Sequence, residues 1–573
     1  MTTIEAGEPE TTATETKSPA RQRSLYFGVF GLMLGMFLGM LDGLIVGTAL
    51  PTIVGDLGGL DRLSWVVTAY LLATAASTPI WGKLGDMYGR KGSFMTAIVI
   101  FLAGSMLSGA AQDMNQLIAY RALQGLGAGG LMVGALSIIG VLVPPRESGK
   151  LQSMLGVMMP VAYISGPLIG GFFTDHLSWR WVFYINAPLG AVALVVVGLG
   201  IRLKRERSKA KIDYPGAALL VTSVLALTLL STWGGNNYAW LSPEILGLVA
   251  VAVLAFAWFV RVEKRAEEPL IPPRLFRNRN FTVVQVLSLL VGAVMFGATN
   301  YLPQYMQFVK GMSPTASGML LLPLMFGMLA VQITVGRLIS KTGKYRIYPI
   351  LGGVFSVAGT LVLLLLQVDT PVALVSGLTL VLGIGLGFMM QSTVLITMNS
   401  AEPRDMGAAS GSVTLIRTLG GSLGVAALGA VYVNNLAGEL TARLGSAEGK
   451  KLSEDGSSMT PELLKGMPDK IRDAYEAAVT SGLQGTIIGA AALAVLMFAI
   501  SWLIREVPLR TVAGQDLEDA EKAEAANADT AEQAGHAETV EHAESAEHAG
   551  NAEKAASATS TEAARTAEKT RTP

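Results

Sequence analysis

Apolar runs of about 20 residues recur along the chain, the length that a helix rising about 1.5 Å per residue needs to cross a bilayer. Fourteen such runs stand out, at 25–53, 64–82, 93–112, 115–143, 152–173, 181–201, 215–233, 244–261, 281–302, 315–336, 347–367, 371–398, 407–433 and 481–504. They predict an all-α polytopic membrane protein. The segments between them carry charge unequally: twenty-four Lys and Arg fall on one alternating set, and three (Arg62, Arg180 and Lys310) on the short segments of the other. This asymmetry follows the positive-inside rule, which places both termini in the cytoplasm and the loop 434–480 outside. That loop is polar, and an amphipathic helix is expected at 461–479.

Composition agrees with the pattern. Of 573 residues 51% are apolar and only 15% charged, and the mean hydropathy is +0.47; a soluble domain carries about 25% charged residues. Net charge is zero, so nothing argues for a nucleic-acid partner. With no cysteine there is neither disulfide nor thiolate chemistry, and none of the four histidines lies inside a span. Proton handling within the membrane then falls to carboxylates. No Walker sequence and no metal cluster occurs, so neither ATP nor a cofactor is expected.

The first span holds one ionisable side chain, Asp42, and a glycine at every fourth position: Gly31, Gly35, Gly39, Gly43 and Gly47. A carboxylate at that depth is expensive unless paired, wetted or protonated, and so marks a functional candidate. The glycines make a stripe along which a neighbouring helix can approach closely. Arg121 in the fourth span and Arg417 in the thirteenth are buried cations. Allowing for their depths, Asp42 and Arg121 are separated by about 6 Å in height, within reach of an arginine. Arg121 pairs with Asp42, or else with backbone carbonyls or Gln124. Arg417 has no evident acidic partner, and either compensates Asp42 or contacts substrate.

Gly82-Lys-Leu-Gly-Asp-Met-Tyr-Gly-Arg-Lys-Gly92 after the second span and Gly336-Arg-Leu-Ile-Ser-Lys-Thr-Gly-Lys-Tyr-Arg346 after the tenth match at Gly82/Gly336, Leu84/Leu338 and Gly89/Gly343, with basic residues paired at Lys83/Arg337 and Arg90/Lys344. Parallel six-helix repeats are one transporter architecture. The expected organisation is a cytoplasmic tail 1–24, a six-helix half 25–201, an inserted helix pair with basic flanks 202–280, a second six-helix half 281–504, and a disordered Ala/Glu-rich cytoplasmic tail 505–573.

The motifs in order resemble the major facilitator superfamily, in its fourteen-helix drug:proton antiporter branch. Gly82–Gly92 looks like that family's loop signature, with Gly82, Asp86, Gly89, Arg90 and Lys91 in register. Arg121-Ala-Leu-Gln-Gly125 is similar to its fourth-helix motif. Gly156 through Gly166-Pro167-Leu-Ile-Gly170-Gly171 looks like its antiporter motif, Leu41-Asp42 through Ala49-Leu50-Pro51 like its first-helix signature, and Trp179 through Pro188 typical of the branch. The resemblance covers 25–505 and implies a monomeric exporter that exchanges small amphipathic or cationic compounds for protons, in a bacterial plasma membrane; an actinobacterial source and a self-made antibiotic are suggested by composition. Uptake by symport, and a sensor or enzyme that never transports, are the alternatives.

Two departures carry expectations. Leu44 and Gly47 stand where the family has Thr and Asn, so polar contacts to Asp42 should be sparse. Ser340 replaces Asp86 in the second loop copy, so an acidic gate belongs to the first half alone. Within this frame Asp42 is the expected proton carrier, since a nearby guanidinium keeps a carboxylate ionised and parting them favours proton uptake. Asp86 is expected to cap a helix or pair with Arg90, latching one conformer, and Gly166-Pro167 to form a hinge or seal between halves. Cavity candidates are Tyr70, Gln124, Tyr163, Asn300, Tyr301, Gln304 and Gln391, each of which could equally be satisfied between helices.

Overall fold

The computed structural model describes residues 19–58, 62–201, 203, 213–234, 238–454, 459, 461–510, 551–552 and 554–560. The chain divides into a large unit, 1–514, and a C-terminal unit, 515–573. In the latter, residues 554–560 are helical. The expectations for most of the N-terminal tail 1–24, for the basic loop 202–212 and for most of the tail beyond 510 lie outside the described residues.

The large unit opens with α1 (Pro19–Leu57), α2 (Leu63–Tyr88), α3 (Arg90–Ala110) and α4 (Met114–Leu142). Next come α5 (Pro145–Gly156), α6 (Met158–His176), α7 (Trp181–Tyr184) and α8 (Asn186–Gly200), then the pair α9 (Tyr214–Trp233) and α10 (Pro243–Glu263). The second series is α11 (Arg279–Phe308), α12 (Pro314–Met319), α13 (Leu322–Thr342), α14 (Ile347–Leu363), α15 (Val372–Ser400) and α16 (Met406–Leu444). It closes with α17 (Ser446–Glu454), α18 (Pro461–Lys465) and α19 (Asp469–Ser501). Among the described residues, twelve stretches of helix are long and apolar enough to cross a membrane. This is two fewer than the fourteen expected: α2 carries Thr68, Thr74, Ser77 and Thr78 along its length, and α14 stops after 17 residues.

Helix starts follow local chemistry. Asp113 accepts a hydrogen bond from the Gln116 amide at 2.9 Å, and Asn278 from the Asn280 amide at 3.0 Å, so each occupies one of the donors that a helix N-terminus leaves unpaired. Gly343, in a left-handed conformation at φ 70°, ends α13.

The helices α1–α4, α6 and α8 pack on one another, and α11 and α13–α16 with α19 do likewise. The pair α9/α10 packs through α9 on α2 and α16. The two groups meet at the end that carries the Gly82–Gly92 loop, through α2 and α4 on α16 and through α5 on α13 and α15.

Two expectations are corrected. The segment 434–480 is largely helix rather than loop: α16 runs on to Leu444 and α19 begins at Asp469. Leu436 and Leu440 on one, with Tyr475, Ala478 and Val479 on the other, are buried in a shared core, so the spans continue as a packed helical pair. The boundary at 505 also falls too early. Residues 505–510 are tied down by Asn280, which donates to the Arg505 carbonyl at 2.8 Å, and by Arg510, which donates to the carbonyls of Met398 and Ala401 at 2.6 Å.

Candidate functional site

Asp42 and Arg121 meet inside the first group, where Asp42 is fully buried and Arg121 is 1% exposed. Arg121 Nη1 donates to Asp42 Oδ2 and, at 2.7 Å, to Gln124 Oε1. Gln124 Nε2 donates to Asp42 Oδ1 at 2.7 Å, and Asn186 Nδ2 donates to the same oxygen at 3.2 Å. Arg121 Nε also donates to the Val66 carbonyl at 3.3 Å. The alternatives open for Arg121 are therefore realised together: carboxylate, glutamine and backbone. The helical spacing explains the chelate, since positions 121 and 124 are neighbours on one face of α4.

The expectation of sparse polar contact at Asp42 is overturned. Gln124 and Asn186 replace what Leu44 and Gly47 cannot supply, and Asn186 donates onward to Ser105 Oγ at 2.9 Å, which donates to the Phe183 carbonyl at 2.8 Å. Asn186 and Ser105 were not singled out from the sequence; the signal was an asparagine at the start of an apolar run. Tyr70 belongs to this cluster, not to a cavity. Its ring lies 4.1 Å from the Arg121 guanidinium carbon, and its hydroxyl donates to the Gly39 carbonyl at 3.0 Å. A buried pair satisfied in this way is stable as a unit, while removal of one partner costs about 3–5 kcal/mol.

Asp86 lies where the groups join. Its Oδ1 accepts from the Gly407 amide at 2.9 Å and from Arg90 Nη2 at 2.9 Å, and its Oδ2 accepts from the Ala408 amide at 2.9 Å. Those amides open α16, whose own N-cap residue, Asp405, makes no side-chain cap. Asp405 instead pairs with Arg274 through two bonds of 2.9 and 2.8 Å. A carboxylate from one group therefore caps a helix of the other, favoured by the helix dipole. Arg90 adds a 2.5 Å bond to the Pro403 carbonyl. Gly89, at φ 101°, makes the turn that aims Arg90 back at Asp86. Gly82 permits the approach: a Cβ there would lie 2.4 Å from the Gly407 carbonyl oxygen.

Lys83 and Lys91 also have partners, Glu268 at 2.5 Å and the Gly198 carbonyl at 2.7 Å. In the second loop copy the polarity is reversed. Arg146 at the start of α5 donates to the carbonyls of Ser340 and Lys341 at 3.2 and 3.3 Å, at the end of α13. The loop carboxylate that reaches the other group belongs to the first copy; the second copy joins the groups through a cation on helix carbonyls, and its Tyr345 and Arg346 amides donate to Glu506 of its own group at 2.9 and 3.3 Å.

The antiporter-like motif packs elsewhere than expected. A Cβ on Gly166 would lie 2.9 Å from Leu44 Cβ, and one on Gly170 would lie 2.1 Å from Thr48 Oγ1. Gly166 and Gly170 thus seat α6 on α1 within the first group, while a Cβ on Gly171 would meet nothing within 4 Å. Close approach between groups on this stretch occurs earlier, at Gly156 against Gln332. The glycine stripe of α1 is likewise used in part: Gly31 and Gly35 meet Val196 and Phe94, whereas Gly43 and Gly47 have open space.

A small open cavity of about 70 Å³ lies between the groups. Met36, Met40, Met132, Met159 and Met390 line it, with Gln332, Gln391 and Arg417 as its polar members. Of the seven cavity candidates only Gln391 lines it. Gln124 and Tyr70 serve Asp42; Asn300 and Gln304 are exposed. Tyr301 donates to the Val425 carbonyl at 2.8 Å and stacks on Tyr432, and Tyr163 packs against the core of the second group. Asp42 is offset from Met40 by about 160° around α1, so it faces away from this cavity.

Residues 32–425 match a family described as Major Facilitator Superfamily. The chain is 37% identical over 430 residues, 75% of its length, to Multidrug resistance protein 3 of Bacillus subtilis (strain 168), of which 84% is covered. It is also 37% identical over 404 residues to Multidrug transporter protein MdtP of the same organism, covering 70% of this chain and 74% of that one. Among solved structures, the proton:xylose symporter XylE superposes with a TM-score of 0.55 at 14% identity, over 87% of this chain and 99% of that one.

Proposed function

Because the chain belongs to the Major Facilitator Superfamily and is a multi-pass membrane transporter, we propose that it exports small amphipathic compounds in exchange for protons by alternating access. The two Bacillus relatives, named for multidrug resistance and multidrug transport, support export. Adding α2 and α14 to the twelve long apolar helices gives fourteen crossings, as two six-helix halves with α9/α10 inserted. Both termini are then cytoplasmic, the loop signature lies on the cytoplasmic face, and the joined ends of the two groups correspond to a transporter closed to the cytoplasm. The protein acts as a monomer in the plasma membrane, with the proton motive force in place of a cofactor.

The observation that carries proton coupling is the fully buried Asp42 bound to Arg121, Gln124 and Asn186. The pair compensates the Asp42 carboxylate while the helices stay as they are. A motion that withdraws Arg121 leaves a buried carboxylate without its cation, which favours proton uptake. The methionine-lined cavity suits varied apolar shapes. Asp86 latches the cytoplasmic end and releases when the groups rock apart.

The test is proton flux out of proteoliposomes on adding a panel of amphipathic dyes and antibiotics, for wild type and Asp42→Asn. Coupled flux is expected in the wild type, with coupling lost and dye binding retained in the variant. Normal coupling in Asp42→Asn would place the carrier elsewhere, and absence of proton movement with every compound would refute antiport.

A further inference from the structure

Arg417 is the one strongly polar group of the central cavity that the proton-coupling cluster leaves unused. It sits about three turns into α16 and is 5% exposed. Among the described residues neither Nη1 nor Nη2 of Arg417 has a hydrogen-bond partner. A guanidinium carries five donors and stays charged, and leaving it buried without an acceptor costs several kcal/mol. Such a residue inside a membrane protein marks a functional site with a missing counterpart.

Among the described residues no acidic side chain supplies that counterpart. Asp42 faces away from the cavity and already holds Arg121, Gln124 and Asn186. Asp86 is engaged by Arg90 and the start of α16, and Asp405 by Arg274. Among the described residues no acidic side chain lines the cavity, where Gln332 and Gln391 are the other polar members and methionines make much of the apolar wall.

The geometry points to Arg417 as an anion-binding residue that holds the acidic group of an amphipathic substrate in this cavity. A carboxylate or sulfonate presents two oxygens to the guanidinium fork, while the apolar body of the same molecule lies on Met36, Met40 and Met390. The preferred cargo is therefore an amphipathic acid. A purely cationic compound meets a fixed positive charge with nothing opposed to it. This deepens the export reading and rests on it for the word substrate, but binding of the acid does not depend on transport.

The experiment uses the full chain in nanodiscs, at pH 7.4 on both faces. Binding is read by scintillation proximity for tritiated octanoate, 1-naphthylacetate and 1-naphthalenesulfonate. The methyl ester of naphthylacetate and 1-naphthylethylamine serve as neutral and cationic controls. At least one acid is expected to bind more tightly than both controls. Arg417→Gln should weaken it about tenfold or more while leaving the ester within about twofold, and Arg417→Lys should fall between, since a lysine keeps the charge but loses the fork. Equal weakening of acid and ester in Arg417→Gln would make Arg417 structural and overturn the inference. So would the absence of binding by all three acids, or Arg417-dependent binding of radioactive chloride without any organic acid. The same proteins in proteoliposomes separate the two readings. Arg417-dependent acid binding without transport leaves this inference standing and removes export, whereas export of ester or amine by a protein that binds no acid does the reverse.

Discussion

Replacing Asp86 by Asn should shift the protein from closed to open at the end that carries the loop signature. In the structure the carboxylate, 5% exposed, accepts two amides of α16 at 2.9 Å each, and these bonds bridge the two helical groups. Each is a hydrogen bond to a charged group, with a net contribution of about 1.5–3 kcal/mol. Asparagine keeps one acceptor, so one amide retains a neutral bond of about 1 kcal/mol. The other amide then faces an NH₂ group, and Arg90 loses its charge partner. The net loss across the interface is about 3 kcal/mol, a change of about 150-fold in the closed-to-open ratio. The chain has no native cysteine, so a single spin-label pair can be introduced across the joined ends without background. Distance distributions from double electron–electron resonance in nanodiscs should then gain a long-distance population in Asp86→Asn. Gly82→Ala should do the same by a different route, because its Cβ meets the Gly407 carbonyl oxygen at 2.4 Å and forces α2 from α16. A distribution for Asp86→Asn that matches wild type, with Gly82→Ala shifted, would refute the latch and leave only close packing at this end.

Two further substitutions test the packing and the buried cluster. Gly170→Ala should destabilise the protein by about 1–3 kcal/mol through overpacking on Thr48, with partial rescue by Thr48→Ala, whereas Gly171→Ala, with nothing within 4 Å, should be neutral. Melting curves in detergent that fail to separate the two alanines would sink the assignment of α6 to α1. Asn186→Leu keeps the branching but removes a donor to Asp42 and to Ser105, and should lower the melting midpoint by the equivalent of about 1–3 kcal/mol. An unchanged midpoint would show that Gln124 and Arg121 satisfy Asp42 by themselves.

Much of this was readable from the chain alone because bilayer physics is one-dimensional. Twenty apolar residues in a row declare a crossing whatever they pack against, and a carboxylate or guanidinium within one declares itself by its cost. Asp42 and Arg121 were legible as a pair since helical rise and reach suffice to bring them together, with Gln124 only an alternative partner for Arg121. The Asp86–Arg90 pair was legible because it spans four residues of one turn. The partners that come from remote segments were not. Asn186 lies 144 residues from Asp42, and the amide of Gly407 lies 321 residues from Asp86. An asparagine or a backbone amide carries no sequence mark of what it will bind. Cavity lining was the least legible. Tyr301, Asn300 and Gln304 share a helix with buried and exposed faces, and only the rotation of α11 in its packed group decides which way each points. Arg417 was visible as a buried cation from the start. That the described residues offer it no partner, and that it faces methionines between two groups of helices, was decided by tertiary structure, because those surfaces come together only once α1, α4, α15 and α16 have packed.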